Sequence, residues 1–145
     1  MCVMSDLDFM TRALHLASTG VGLTGDNPTV GCVIVRDGAV IAEARTGDGG
    51  RPHAEEQALA LGDARGATAY VTLEPCAKRS NDTASCADRL IEAGVARVVI
   101  AASDPHPFAR GVGVERLRAA GVSVETGLLA SEARQLNADF HRRWT

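Results

Sequence analysis

Apolar residues return at three- and four-residue intervals between Asp6 and Thr19, where Leu7, Met10, Leu14 and Ala17 share one face. That period predicts a packing helix, and Gly20 ends it. A loop rich in Gly, Asn and Pro (Gly20 to Pro28) leads into a β-branched run, Thr29 to Val35, which predicts a strand. Asp37-Gly38 then signals a hairpin turn, and Ala39 to Arg45 returns as the second strand. The glycine-rich segment Thr46 to Pro52 delivers the chain to His53. From Ala54 to Leu61 the pattern is helical, with Gly62 closing it.

Tyr70 to Leu73 predicts a short strand that Pro75 stops, leaving Cys76 just past its end. Ser85 is placed to cap a helix from Cys86 to Ala93, with Asp88 three residues on and Gly94 as the stop. Arg97 to Ala102 is a further apolar run. Strand, helix, strand in this order predicts a right-handed βαβ unit with parallel strands. Val112 to Ala120 predicts another helix, Val122 to Thr126 a short strand, and Ser131 to Arg143 a closing helix. No repeat or low-complexity tract interrupts the chain, and 145 residues are enough for one core, so residues 1–145 are expected to form a single domain. The expected architecture is α/β: a helix/sheet/helix sandwich in which a hairpin leads into parallel strands.

Composition narrows the picture. Only 3% of residues are aromatic, so the core has to be built mainly from Val, Leu, Ile and Ala. A net charge of −3, with basic residues largely scattered and Arg142-Arg143 paired at the end, argues against nucleic acid as a partner. A small or singly phosphorylated substrate fits better. No apolar run reaches the roughly 18 residues of a membrane span and no secretory signal is visible, so neither membrane nor export is expected, and the cytoplasm is the default compartment. In a reducing compartment, paired cysteines point to metal or catalysis more than to a disulfide. Of the four cysteines, Cys2 reads as an exposed terminal residue and Cys32, inside an apolar strand, as a small buried hydrophobe.

Cys76 and Cys86 are different, because each falls where a strand ends or a helix begins, as His53 does. One imidazole and two thiolates make a three-ligand zinc set, and three protein ligands with one open position is the catalytic arrangement. Glu55 follows His53 by two residues. The two can share a site only at the N-terminal end of their helix, because residues two apart point about 200° away from each other along it. Zinc nucleobase deaminases carry H-x-E followed by P-C-x-x-C. Here His53-Ala54-Glu55 and Pro75-Cys76 are present, but nine residues separate the cysteines. Glu55 is expected to take a proton from water and hand it to the amine leaving an amidine-like ring. Glu56 reads as solvated surface. Glu74 is placed either to orient a backbone amide near the site or to serve structure alone.

Several separated motifs together resemble the cytidine-deaminase-like superfamily. They are Asn27-Pro28-Thr29-Val30-Gly31-Cys32, Pro52-His53-Ala54-Glu55 and Thr72-Leu73-Glu74-Pro75-Cys76, then Cys86 to Val95, Asp104-Pro105-His106-Pro107 and Leu136-Asn137. Within the superfamily the likeness is greatest to the deaminase domain of the bifunctional deaminase–reductases of riboflavin biosynthesis, and it covers nearly the whole chain. The resemblance implies a three-layer α/β/α sandwich on a mixed, largely parallel five-stranded sheet. It also implies Zn2+ held by His53, Cys76 and Cys86, Glu55 as proton shuttle, a diaminopyrimidinone ribosylamino phosphate as substrate, and a homodimer by family habit. Since the likeness stops at the deaminase half, the reduction that follows is expected to be carried by another chain.

The departures fall on the substrate side. The segment between the cysteines is one residue longer than the family's C-S-H-x-G-[RK]-T-P-P-C, with Lys78 where His is usual and no Pro-Pro. The family's D-P-N-P becomes Asp104-Pro105-His106-Pro107, and Thr46 stands where a His is often found. Asn27, Asp104 and His106 are the candidates for base and ribose contacts, and Lys78 or Arg79 for phosphate. Three further readings stay open: a free-base or nucleoside deaminase of guanine or cytosine type, a tRNA-editing adenosine deaminase (which the charge disfavours), and a non-catalytic zinc-stabilised partner subunit. For the metal itself the alternatives are a structural site closed by Glu55 or His106, or unliganded thiols.

Overall fold

The computed structural model describes residues 4–77, 85–107 and 109–143. Cys2, Lys78 and Arg79 therefore lie outside the described residues. The first helix, α1 (Asp6–Ser18), begins at Ser5, whose hydroxyl accepts from the Asp8 N–H while the Asp8 carboxylate accepts from the Ser5 N–H. Its buried face is rotated from the predicted one. Phe9, Met10, Ala13 and Ala17 are covered, and Leu7 is 50% exposed. The Phe9 ring, packed 5.2 Å from that of Tyr70, fixes this orientation.

The hairpin forms as its sequence predicts. β1 (Gly31–Arg36) and β2 (Ala39–Arg45) pair antiparallel around Asp37 and Gly38, with φ of 54° and 77°. Then come α2 (Ala54–Leu59), β3 (Thr68–Leu73), α3 (Cys86–Glu92), β4 (Arg97–Ala102), α4 (Val112–Ala119) and β5 (Ser123–Thr126). Ser85 caps α3 by accepting from the Asp88 N–H. The sheet is mixed, in the order β2-β1-β3-β4-β5. β1 pairs antiparallel with both β2 and β3, while β3–β4 and β4–β5 are parallel, so four strands run one way and β1 alone runs against them.

Alternate residues of the central strands feed two separate cores. Cys32, Ile34, Val71, Val98 and Ile100 pack under α2, α3 and α4. Val33, Val35, Tyr70 and Val99 pack under α1 and the C-terminal helices. Strands covered on both faces read as continuous apolar runs, and β1, β3 and β4 do. The result is the three-layer α/β/α sandwich expected from the sequence.

The closing helix departs from expectation. It is two helices, α5 (Ala130–Leu136) and α6 (Ala138–Arg142), broken at Asn137 with φ −115° and ψ 43°. The Asn137 side chain leaves the helix to pair with the backbone of Thr29, ahead of β1. No helix among the described residues is long and apolar enough to cross a membrane.

Candidate metal centre and catalytic cavity

His53 is the N-cap of α2 (φ −68°, ψ 155°), but its side chain does not cap the helix. The ring turns instead to Cys86, the first residue of α3, with Nδ1 3.2 Å from Sγ. Pro75 ends the extended run after β3, and the next residue, Cys76, docks on the start of α3. Its Sγ accepts from the Cys86 N–H at 3.3 Å and its carbonyl from the Ala87 N–H at 2.9 Å. Two helix N-termini and a strand end thus converge, and the ligand atoms of His53, Cys76 and Cys86 all lie within 4.8 Å of one another.

One imidazole and two thiols at that spacing could hold a single zinc ion. Hydrogen bonding from the Cys86 side chain, and then from His53, brings the Cys76 thiol down to about 4 against the opposing effect of burial. A thiolate near neutral pH is the form a metal ligand needs. Cys32 is the contrast: completely buried, its thiol is pushed up by burial and by the Glu55 charge, which leaves it an inert apolar filler. No disulfide joins Cys32, Cys76 and Cys86.

A cavity of about 170 Å³ opens onto this group, walled by His53, Glu55, Cys76, Asn27, Thr46 and Asp104 among others. Glu55, in the first turn of α2, is only 4% exposed. Burial pushes its carboxyl up to about 7 and the Cys76 charge adds to this, while a backbone hydrogen bond and the charge of His53 oppose it. A buried acid poised near neutrality can either hold or release a proton. Glu56, next in sequence, is not the solvated residue expected: its carboxylate lies 3.7 Å from the Arg89 guanidinium, and its side chain is 17% exposed.

Glu74 faces the same cavity, and both of its oxygens are engaged. Oε1 accepts from the N–H groups of Asp104 (3.2 Å) and Gly111 (3.0 Å), and Oε2 from that of Val114 (3.2 Å). The carboxylate therefore ties the loop after β4 and the start of α4 to the strand that carries Cys76. Gly113 makes this approach possible, since a Cβ there would stand 2.1 Å from the Pro75 carbonyl oxygen.

The expected substrate residues divide. Asn27 and Asp104 stand in the cavity wall. The Asp104 carboxylate accepts from the His106 N–H at 2.9 Å, and burial raises its pKa. His106 is not in that wall; it occupies the turn beyond Asp104. Thr46 lines the cavity while accepting from the Val30 N–H at 2.9 Å, so it also fixes the entry to β1. Phe140 and Leu73, absent from the sequence-derived set, supply the cavity's apolar wall. Phe140 follows Leu136-Asn137 by one turn, and that tail motif was the available signal. A larger groove of about 380 Å³ lies alongside, between the loop before β1 and α5–α6. It shares Asn27, Pro28 and Phe140 with the cavity and contains none of the three ligands, so the chemistry belongs to the smaller space.

This arrangement is that of a zinc-dependent deaminase. Residues 4–102 match the cytidine and deoxycytidylate deaminase zinc-binding region, and the chain belongs to that family. It is 51% identical over 142 residues to the riboflavin biosynthesis protein RibD of Escherichia coli (strain K12), covering 97% of this chain and 38% of that protein. It is 42% identical to the diaminohydroxyphosphoribosylamino-pyrimidine deaminase of Buchnera aphidicola subsp. Acyrthosiphon pisum, covering 97% of this chain and 96% of the relative. Among solved structures, RibD of Acinetobacter baumannii superposes with a TM-score of 0.91 at 45% identity, over 96% of this chain and 39% of that one. The chain thus spans about two fifths of the length of the RibD proteins it resembles.

Proposed function

We propose that the chain, as one catalytic domain, hydrolytically deaminates a diaminohydroxypyrimidine carrying a ribosylamino phosphate, the deaminase step of riboflavin biosynthesis. The observation that carries the proposal is the single cavity in which His53, Cys76 and Glu55 meet Asn27 and Asp104. The Buchnera relative, matched along nearly its whole length, bears the name of this activity.

In this reading His53, Cys76 and Cys86 hold the zinc, which when bound supplies a Lewis acid that lowers the pKa of water toward about 7. Glu55 does the proton work: its carboxylate accepts one proton of the water whose oxygen adds to the amine-bearing ring carbon, and returns it to the exocyclic amine, whose C–N bond breaks to release ammonia. Glu74 is not available for that step, because three backbone amides already occupy its oxygens. Asn27 and Asp104 orient the ring by hydrogen bonds. Leu73 and Phe140 exclude water from its face and keep the electrostatic contacts strong. His106, in the turn beyond Asp104, stays a candidate for the ribose, and Lys78 and Arg79 stay candidates for the phosphate. Cytoplasmic location and a homodimer complete the proposal.

An ammonia-release assay across the ribosylamino phosphate, its dephosphorylated form, and free guanine, cytosine and their nucleosides tests the substrate. Turnover is expected to be fastest on the phosphorylated diaminopyrimidine. Faster turnover of a free base or nucleoside would replace this substrate with that one.

A further inference from the structure

Beyond the cavity lies a second hollow of about 320 Å³, walled by Ser103, Asp104, Pro105, Arg110, Arg134 and His141. Asp104 stands in both walls, so the two spaces are one side chain apart. Three of the six residues are basic types and one is acidic. Arg110 and Arg134 are exposed and have no acidic partner within ion-pair distance among the described residues; the one hydrogen bond from Arg110 goes to the Pro105 carbonyl, at 3.4 Å. Asp104 is already engaged with the His106 N–H. The adjoining larger groove also has two arginines, but Arg142 is paired with Asp139 and Arg143 bonds the Asp26 carbonyl at 3.1 Å. Among the described residues, the Arg110–Arg134 hollow differs from that groove in offering two guanidinium groups that form no ion pair, with Asp104 as the acid in its wall. Two such forks facing one space suit a tetrahedral dianion.

We propose that the hollow formed by Arg110, Arg134 and His141 is a phosphomonoester subsite, which receives the phosphate of a substrate whose ring lies in the neighbouring cavity. The proposal rests on the reading of the substrate given above and deepens it. Arg110 and Arg134 are specificity-determining residues that act in binding and not in the proton transfer.

The test uses the intact chain and an Arg110→Ala/Arg134→Ala variant, with two readouts. The first is kcat and KM for the phosphorylated substrate and for its dephosphorylated form. The variant is expected to raise KM for the phosphorylated substrate about tenfold or more, to leave kcat nearly unchanged, and to leave both constants for the dephosphorylated form as in wild type. The Arg→Lys pair is expected to recover part of the loss. The second readout is titration with inorganic phosphate at low ionic strength, followed by 31P line broadening, which needs no turnover. Broadening is expected with the wild type and should be lost in the variant. Equal KM in variant and wild type, an equal rise for both substrates, or phosphate broadening that survives in the variant would each overturn the subsite. A wild type that binds phosphate yet releases no ammonia from the phosphorylated pyrimidine would instead overturn the substrate reading and leave the anion site standing.

Discussion

The Asn137 side-chain amide grips both backbone groups of Thr29, accepting from its N–H at 2.9 Å and donating to its carbonyl at 2.9 Å. The two residues are far apart in sequence, and the pairing holds the loop before β1 against the C-terminal helices. That loop carries Asn27, and α6 carries Phe140; both line the cavity. Asn137→Ala removes two hydrogen bonds, each worth about 0.5–1.5 kcal/mol net. It is expected to lower stability by about 1–3 kcal/mol in urea unfolding and to raise KM more than it lowers kcat. An unchanged KM would show that the loop holds its position without the clamp.

Glu74 predicts a larger effect from a more buried group. Its carboxylate satisfies three backbone amides, and replacing it with Ala leaves them without that acceptor at a cost of about 1–3 kcal/mol for each buried group. Glu74→Ala is expected to lower the unfolding midpoint sharply. Glu74→Gln keeps one acceptor oxygen and should fall between the variant and wild type. A Gln variant as unstable as the Ala variant would assign the effect to charge and not to the bonds themselves.

Acid sensitivity should come partly from Asp6. Hydrogen bonds from the Arg97 guanidinium, and then from the Tyr70 hydroxyl, hold its carboxyl down to about 2. A carboxyl whose folded pKa is depressed stabilises fully above its unfolded value, near 3.9, and loses that contribution as pH falls toward 2. The Asp6 side chain is 40% exposed, so solvent screening limits the ion pair to about 1 kcal/mol or less. Asp6→Asn is therefore expected to be less stable than wild type at pH 6, with the difference closing between about pH 4 and pH 2. Denaturant midpoints at several pH values check this; a gap that stays constant down to pH 2 contradicts it.

Glu55→Gln isolates the proton transfer. The amide matches the carboxylate in shape but cannot carry a proton between water and the amine. Zinc content is expected to match wild type, while kcat for ammonia release falls by about 10²–10⁴-fold. Wild-type turnover in this variant would remove Glu55 from the mechanism.

Local rules made much of this molecule legible before its structure. Apolar period and turn chemistry predict α1, the Asp37-Gly38 hairpin and β4, because each element is specified by residues close together in sequence. Pro75 after β3 and Ser85 before α3 mark where Cys76 and Cys86 must lie, and the structure brings the two together with His53. What sequence reading missed depends on partners distant in the chain. The apolar period runs straight through Asn137, and only Thr29, on the other side of the sheet's entry, explains the break. Glu74 is recognisable as an acid beside Pro-Cys, but its amides belong to residues 104, 111 and 114. Glu56 looks like surface until Arg89 on α3 arrives beside it. The rotation of α1 that leaves Leu7 exposed follows from the ring contact between Phe9 and Tyr70, which no helical period encodes.

Everything proposed for the cavity depends on a zinc ion held by His53, Cys76 and Cys86 together. Metal analysis of wild type and of Cys86→Ser, purified alike and assayed for ammonia release with and without added Zn2+, tests this most directly. About one zinc per wild-type chain is expected, with loss of both metal and activity in the variant. Wild-type activity removed by a chelator is expected to return on adding zinc. A wild-type protein that is active with no bound metal, or a Cys86→Ser variant that keeps its zinc and its rate, would contradict this dependence.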